Sequence, residues 1–294
     1  TGELGQLEGG FDLGNTGNSW SLENFRMNSV GDNNPLQLSV TGELKDFTAL
    51  PAADFKLQYR LRDPSLLQAI TGLRMNPSEG DLVVKSHQGT TNATGNTRFG
   101  DTQISANVAL SHDQSSLQKL TMVIHSPNVR LEDMGLQAEE KQDLNYSPAE
   151  QFEEIKPWQR FRNALQQAPG YQTDIALNFD GVTGDHTNIE SFHLHFTGSD
   201  KRYTLRRLDI AYDQSVSEIR GIIDLNSSPP FASLAGEALA IPMDTISRDL
   251  GLDFDISGIA NVRGGLTSQG DSPDTLMDSL DGSLAVALKN AVIE

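Results

Sequence analysis

Apolar and polar residues alternate along most of this chain. In "PLQLSVTGEL" Leu36, Leu38 and Val40 take every second place, and in "DFKLQYRL" Phe55, Leu57, Tyr59 and Leu61 do the same. The period recurs at Ile104, Ala106, Val108 and Leu110, then at Leu120, Met122 and Ile124. It returns at Ile175, Leu177 and Phe179, and at Phe192, Leu194 and Phe196. Phe254, Ile256, Ala260, Val262 and Leu266 share one phase, and Leu284, Val286 and Leu288 close the series. A period of two sends neighbouring side chains to opposite sides of a strand, so each run predicts a strand with one apolar and one solvated face. The same parity puts Leu205 with Tyr203 on the apolar side and His193 and His195 on the solvated side. Turn-forming clusters such as "VGDNNP", "TTNATGN" and "VTGDHTN" separate the runs.

Helical signals are few and short. "DPSLLQAITGL" has Asp63 as N-cap, Pro64 at the first helical position and Gly72 as stop. "MDTISRDLG" repeats this design with Asp244 and Gly251, and "SPDTLMDSLDG" repeats it with Ser272, Pro273 and Gly282. Residues 138–170 differ from their flanks. They are rich in charge, contain a capping box at Ser147 and Glu150, and place Trp158, Phe161 and Leu165 at helical spacing. This predicts three parts: a β module at 1–137, a charged helical connector at 138–170, and a second β module at 171–294.

The two modules share phrases. "WSLENFRM" at 20–27 resembles "YTLRRLDI" at 203–210, an offset of 183. Gly72-Leu73 matches Gly251-Leu252, and Gly42 falls on Gly221, both at an offset of 179. A module of roughly 100 residues repeats, and stacked copies build one long surface. The predicted helices are too few and short to cover the apolar faces of so many strands. Either two sheets close on one another or the sheet curls into a trough.

Composition narrows the function. The chain has 294 residues, 37% of them hydrophobic, which is enough for a core. Its formal charge of −18 and lack of basic clusters argue against nucleic acid as a partner. With no cysteine there is no disulfide, thiolate nucleophile or cysteine metal site. No apolar run reaches the roughly 18 residues that suggest a membrane span. The opening "TGELGQLEGG" and the closing "LAVALKNAVIE" read as parts of a longer protein that would carry any anchor or signal elsewhere.

Catalytic motifs are absent: no G-x-S-x-G, Walker loop, G-x-G-x-x-G or H-E-x-x-H occurs. His193 and His195 lie on one strand face with His186 nearby, but two imidazoles without a third placed ligand do not define a metal site. Acidic pairs such as Asp253/Asp255, Asp271/Asp274 and Glu153/Glu154 are expected by chance among 40 acidic residues. The expectation is a binding protein with no catalytic residue, cofactor or metal.

The stretch "LGLDFDISGIANVRGGLTSQGDSPDTLMDSLDGSLAVALKNAVIE" resembles the AsmA family of bacterial envelope proteins. A strand passes through Gly258 to Gly264, a loop and short helix follow, and Leu280-Asp281-Gly282 leads into the last strand. "HSPNVRLEDMGL" at 125–136 is similar to the family's segment closing a module, and "IKPWQRFRNALQQAPGYQTDIALNFDGV" to its link into the C-terminal module. The resemblance implies a mainly β fold: a long curved antiparallel sheet with an apolar groove (a β-taco), few short helices and two internal modules. It implies a bridge-like lipid transfer protein in the periplasm, anchored to the inner membrane by a segment outside this chain. Such a protein moves phospholipid toward the outer membrane and supports that membrane's integrity. Its partners would be phospholipid acyl chains and membrane proteins at the ends of the full-length protein. The groove would then be lined by Leu36, Leu38, Val40, Phe55, Leu57, Ile104, Val108, Ile175, Leu177, Phe179, Phe192, Leu194, Phe196, Leu205, Phe254, Ile256, Leu284, Val286 and Leu288. The competing expectation is a closed β-sandwich serving as an envelope scaffold without lipid transport.

Overall fold

A computed structural model describes residues 6–16, 19–30, 36–45, 52–63, 76–113, 116–134, 171–184, 187–243, 256–271 and 273–293. The expected helices near 64–71 and 244–251, the connector at 138–170, and Phe254 lie outside the described residues. The described elements are seventeen strands and one short helix, α1 (Pro273–Asp278). The sheet is antiparallel apart from one short parallel pair, and it is open rather than closed into a barrel. The expectation of a mainly β, antiparallel fold with little helix holds. The chain divides into two compact units: residues 1–137 with 174–188, and residues 138–173 with 189–294.

The first unit is a meander of β1 (Gln6–Thr16), β2 (Ser19–Val30), β3 (Leu36–Lys45), β4 (Ala52–Leu61), β5 (Ser78–His87), β6 (Thr90–Phe99), β7 (Thr102–Asp113) and β8 (Ser116–Ser126). Each pairs antiparallel with the next. Tight turns at Gln88-Gly89 and Gly100-Asp101 join β5 to β6 and β6 to β7, and three of these four residues have positive φ or are glycine. The two-residue strand β9 (Val129–Arg130) pairs in parallel with β11 (Val182–Gly184), while β10 (Gln172–Phe179) lies beside β8.

The second unit is a meander of β12 (Thr187–Ser199), β13 (Arg202–Tyr212), β14 (Ser215–Asp224), β15 (Phe231–Pro242), β16 (Ile256–Gln269) and β17 (Asp281–Ile293). Helix α1 fills the connection from β16 to β17. Ser279 ties this connection back to β16: its Oγ donates to the Gln269 carbonyl and accepts from the Gln269 N–H, at 2.6 and 2.8 Å.

Among the described residues few apolar side chains are buried. Among the described residues the buried apolar ones are Val40, Leu61, Val129, Val182, Tyr203 and Ala260.

Candidate functional site

Register, rather than any loop, assembles the candidate site. In the first unit Val40, Leu57, Leu82, Gly95, Ala106 and Ile124 stand opposite one another from β3 to β8. The next row on the same face is Gly42, Phe55, Val84, Ala93, Val108 and Met122. Toward the other end of the strands run Leu38, Tyr59, Gly80, Thr97 and Ile104, and then Leu36, Leu61, Ser78, Phe99 and Thr102. Leu36, Leu38, Val40, Phe55, Leu57, Ile104 and Val108 therefore share one face. Ile175, Leu177 and Phe179 alternate along β10 and are half-buried.

Aromatic residues set the relief of this face. Phe25 and Phe55 meet edge to face with ring centroids 5.9 Å apart. Tyr59 lies over Gly80, where a Cβ would come within 2.9 Å of its ring, and its hydroxyl bonds Thr97 on the far side. Glycine at position 80 lets an aromatic ring lie flat instead of standing upright.

The second unit repeats the arrangement. One row runs Phe196, Leu205, Gly221, Leu234, Leu266 and Gly282 from β12 to β17. The next is Leu194, Leu208, Ile219, Gly236, Gly264 and Leu284, followed by Phe192, Ile210, Ser217, Ala238, Val262 and Val286. Leu288 faces Ala260 on the same side. Phe196 stacks on Tyr203 at 5.7 Å. His193 and His195 fall on the opposite face, across from Asp209 and Arg207. Ile256 begins β16 just before a register shift.

Strict alternation in the sequence missed part of this lining. Leu22 and Phe25 in β2, and Leu205 and Leu208 in β13, are three residues apart. In each case a β-bulge absorbs the extra residue between them and returns both side chains to one face. Both bulges sit inside the repeated phrase at the same offset of 183, so "WSLENFRM" and "YTLRRLDI" encode a bulged strand.

Despite this continuity the face is not sealed. Leu234 is 50% exposed and Leu266 43% exposed. The opposite face carries ion pairs such as Arg60–Glu79 at 2.8 Å and Arg263–Glu237 at 2.6 Å. Among the described residues, no three histidine, aspartate or glutamate side chains are grouped to hold a metal. No helix there is long and apolar enough to cross a membrane.

One polar cluster escaped the sequence reading. Asp133, 4% exposed, closes the end of the first unit. Its Oδ2 accepts from the N–H groups of Asp101 and Thr102, both at 2.9 Å, and from the Thr102 hydroxyl at 3.0 Å. Its Oδ1 accepts from Asn76 Nδ2 at 2.6 Å. Gly100, at φ 56°, packs where a Cβ would strike this carboxylate. Burial acts to raise the Asp133 pKa, but the hydrogen bonds from Thr102, Asn76 and the two backbone N–H groups outweigh it and hold the group below the usual carboxylate value.

The described residues form an open antiparallel β protein, and each of its two units carries a broad apolar sheet face. A model of the AsmA family matches residues 2–294, and the chain belongs to that family. No curated protein and no solved structure matched it.

Proposed function

We propose that the apolar faces of the two units bind phospholipid acyl chains, and that the protein serves as a periplasmic segment of a lipid conduit between the inner and outer membranes. One observation carries this reading. In each unit two rows cross six strands without a polar side chain, yet nearly all of those side chains stay partly exposed. An apolar surface this large, left unsealed, is a binding surface. Burying acyl methylenes against it gains about 0.8 kcal/mol per CH₂. Leucine, valine and phenylalanine offer no directional contacts, so a chain slides along the rows without a deep local minimum. The reading needs no catalytic residue or cofactor. Membership of the AsmA family supports an envelope location, with attachment to the inner membrane through another part of the protein.

The test is native mass spectrometry of the purified protein. Co-purified phospholipid, or uptake of added phospholipid by a stripped sample, is the expected result. A lipid-free mass under gentle conditions together with no uptake would overturn the lipid reading and favour an envelope scaffold without lipid transport.

A further inference from the structure

Glycines interrupt the apolar rows in the middle of their strands. A glycine inside a strand weakens it and marks a place where another group comes close to the backbone. Here that group is a large apolar side chain from the position directly opposite on the next strand. In the first unit Leu82 reaches over Gly95, as Tyr59 does over Gly80. In the second unit the pairing is reciprocal across four strands. Ile219 of β14 lies over Gly236 of β15, and Leu234 of β15 lies over Gly221 of β14. Leu266 of β16 lies over Gly282 of β17, and Leu284 of β17 lies over Gly264 of β16. A Cβ on Gly221 would come within 2.5 Å of Leu234 Cδ2, and one on Gly264 within 2.9 Å of Leu284 Cδ1. Leu234, Leu266 and Leu284 are nonetheless 50%, 43% and 70% exposed. They lie along the sheet with one flank open.

This gives the face a low relief. Two sheets that pack on each other interdigitate the side chains of their inner faces. Side chains laid flat offer neither the pegs nor the holes for that. They offer a tiled surface one side chain thick, on which a flexible chain can lie at many positions. We propose that these cross-strand glycine pairs fit the face to a moving acyl chain and make it indifferent to chain type. Straight, unsaturated and methyl-branched chains are all accepted, and none is held at a fixed point. Resting on the acyl-chain reading above, this makes Gly221, Gly236, Gly264 and Gly282 positioning residues that act through the side chains laid over them.

The experiment follows lipid exchange by native mass spectrometry. The chain is loaded with dioleoylphosphatidylcholine, or with diphytanoylphosphatidylcholine, whose chains carry methyl branches. It is then mixed with excess vesicles of deuterated dioleoylphosphatidylcholine, and the mass shift gives the exchange rate. The variants are Gly264→Ala, Gly264→Ala with Leu284→Ala, and Gly265→Ala, with thermal unfolding as the fold control. A Cβ at position 264 also comes within 2.8 Å of the Ser283 carbonyl oxygen, so Leu284 must rise from the sheet to make room. The double variant removes the side chain that rises. Gly265 is the matched control, because it faces the other side of the sheet and the nearest atom to a Cβ there is 3.7 Å away. Gly221→Ala, with and without Leu234→Ala, repeats the test at a second pair should the first variant not fold. The parent chain should exchange the two lipids at similar rates. Gly264→Ala should slow exchange roughly fourfold, the effect of about one further methylene gripped at each step. It should slow the branched lipid more than the dioleoyl lipid. The double variant and Gly265→Ala should exchange as the parent does. If the folded single variant exchanges both lipids at the parent rate, or if the double variant stays as slow as the single one, the inference is overturned. Widely different rates for the two lipids in the parent chain would overturn it too. A parent chain that takes up neither lipid would overturn the acyl-chain reading, and this inference with it.

Discussion

Asp133 shows how one residue fastens the end of a sheet. It gathers two backbone N–H groups, a hydroxyl and an amide from two separate segments of the first unit, Asn76 and Asp101-Thr102. An aspartate buried this deeply is stable only when hydrogen bonds replace its lost hydration. Its carboxylate is held below the normal range in the folded chain. Its contribution to stability is therefore complete above the unfolded-state value near 3.8 and is lost as pH falls through the lower folded value. Asp133→Asn places an amide NH₂ against a ring of donors and should cost roughly 1–3 kcal/mol. Denaturant titrations at pH 7 and through the acid range check both points. The variant should be less stable at pH 7 and should lack the part of the acid sensitivity that Asp133 supplies. Equal stability of variant and parent at pH 7 would show that the clamp does not matter.

At the scale of the strand, the two bulges do what alternation cannot. In β2 the extra residue falls at Asn24, which takes φ 51° between Leu22 and Phe25. Left-handed backbone suits asparagine and glycine and strains a β-branched residue. Asn24→Val should then cost about 1–2 kcal/mol, whereas Asn24→Gly should lose only the bond from Asn24 Nδ2 to Asp12. Thermal unfolding of the two variants decides; a valine tolerated as well as glycine would mean that the bulge lies elsewhere. The bulges also mark the limit of what the sequence displays. Strands β3 and β4 keep strict period two, as do β7 from Ile104 to Leu110 and β8 from Leu120 to Ile124, and these faces were readable. The lining residues Phe25 and Leu208 were not, because a three-residue spacing imitates neither strand nor helix until its partner strand is known. The repeated phrase was visible, and its physical meaning needed the register. Asp133 was hidden for another reason: its partners come from positions up to 57 residues away in sequence, and nothing local distinguishes it from the other acids.

At the scale of the molecule, the notable quantity is how little is buried. Six buried apolar side chains among the described residues do not make an ordinary globular core. Stability comes instead from strand pairing along each meander and from half-covered apolar rows, which gain further when a ligand covers them. That dependence links stability to function, because a bound lipid should raise the unfolding temperature as well as occupy the site. The central claim is that alternate residues of one strand face lipid. A photo-crosslinking amino acid placed in turn at positions 192 to 196, in the full-length protein in cells, tests it most directly. Lipid adducts are expected at Phe192, Leu194 and Phe196 and should be scarce at His193 and His195. Equal adducts at all five positions, or alternation with protein adducts alone, would contradict the account.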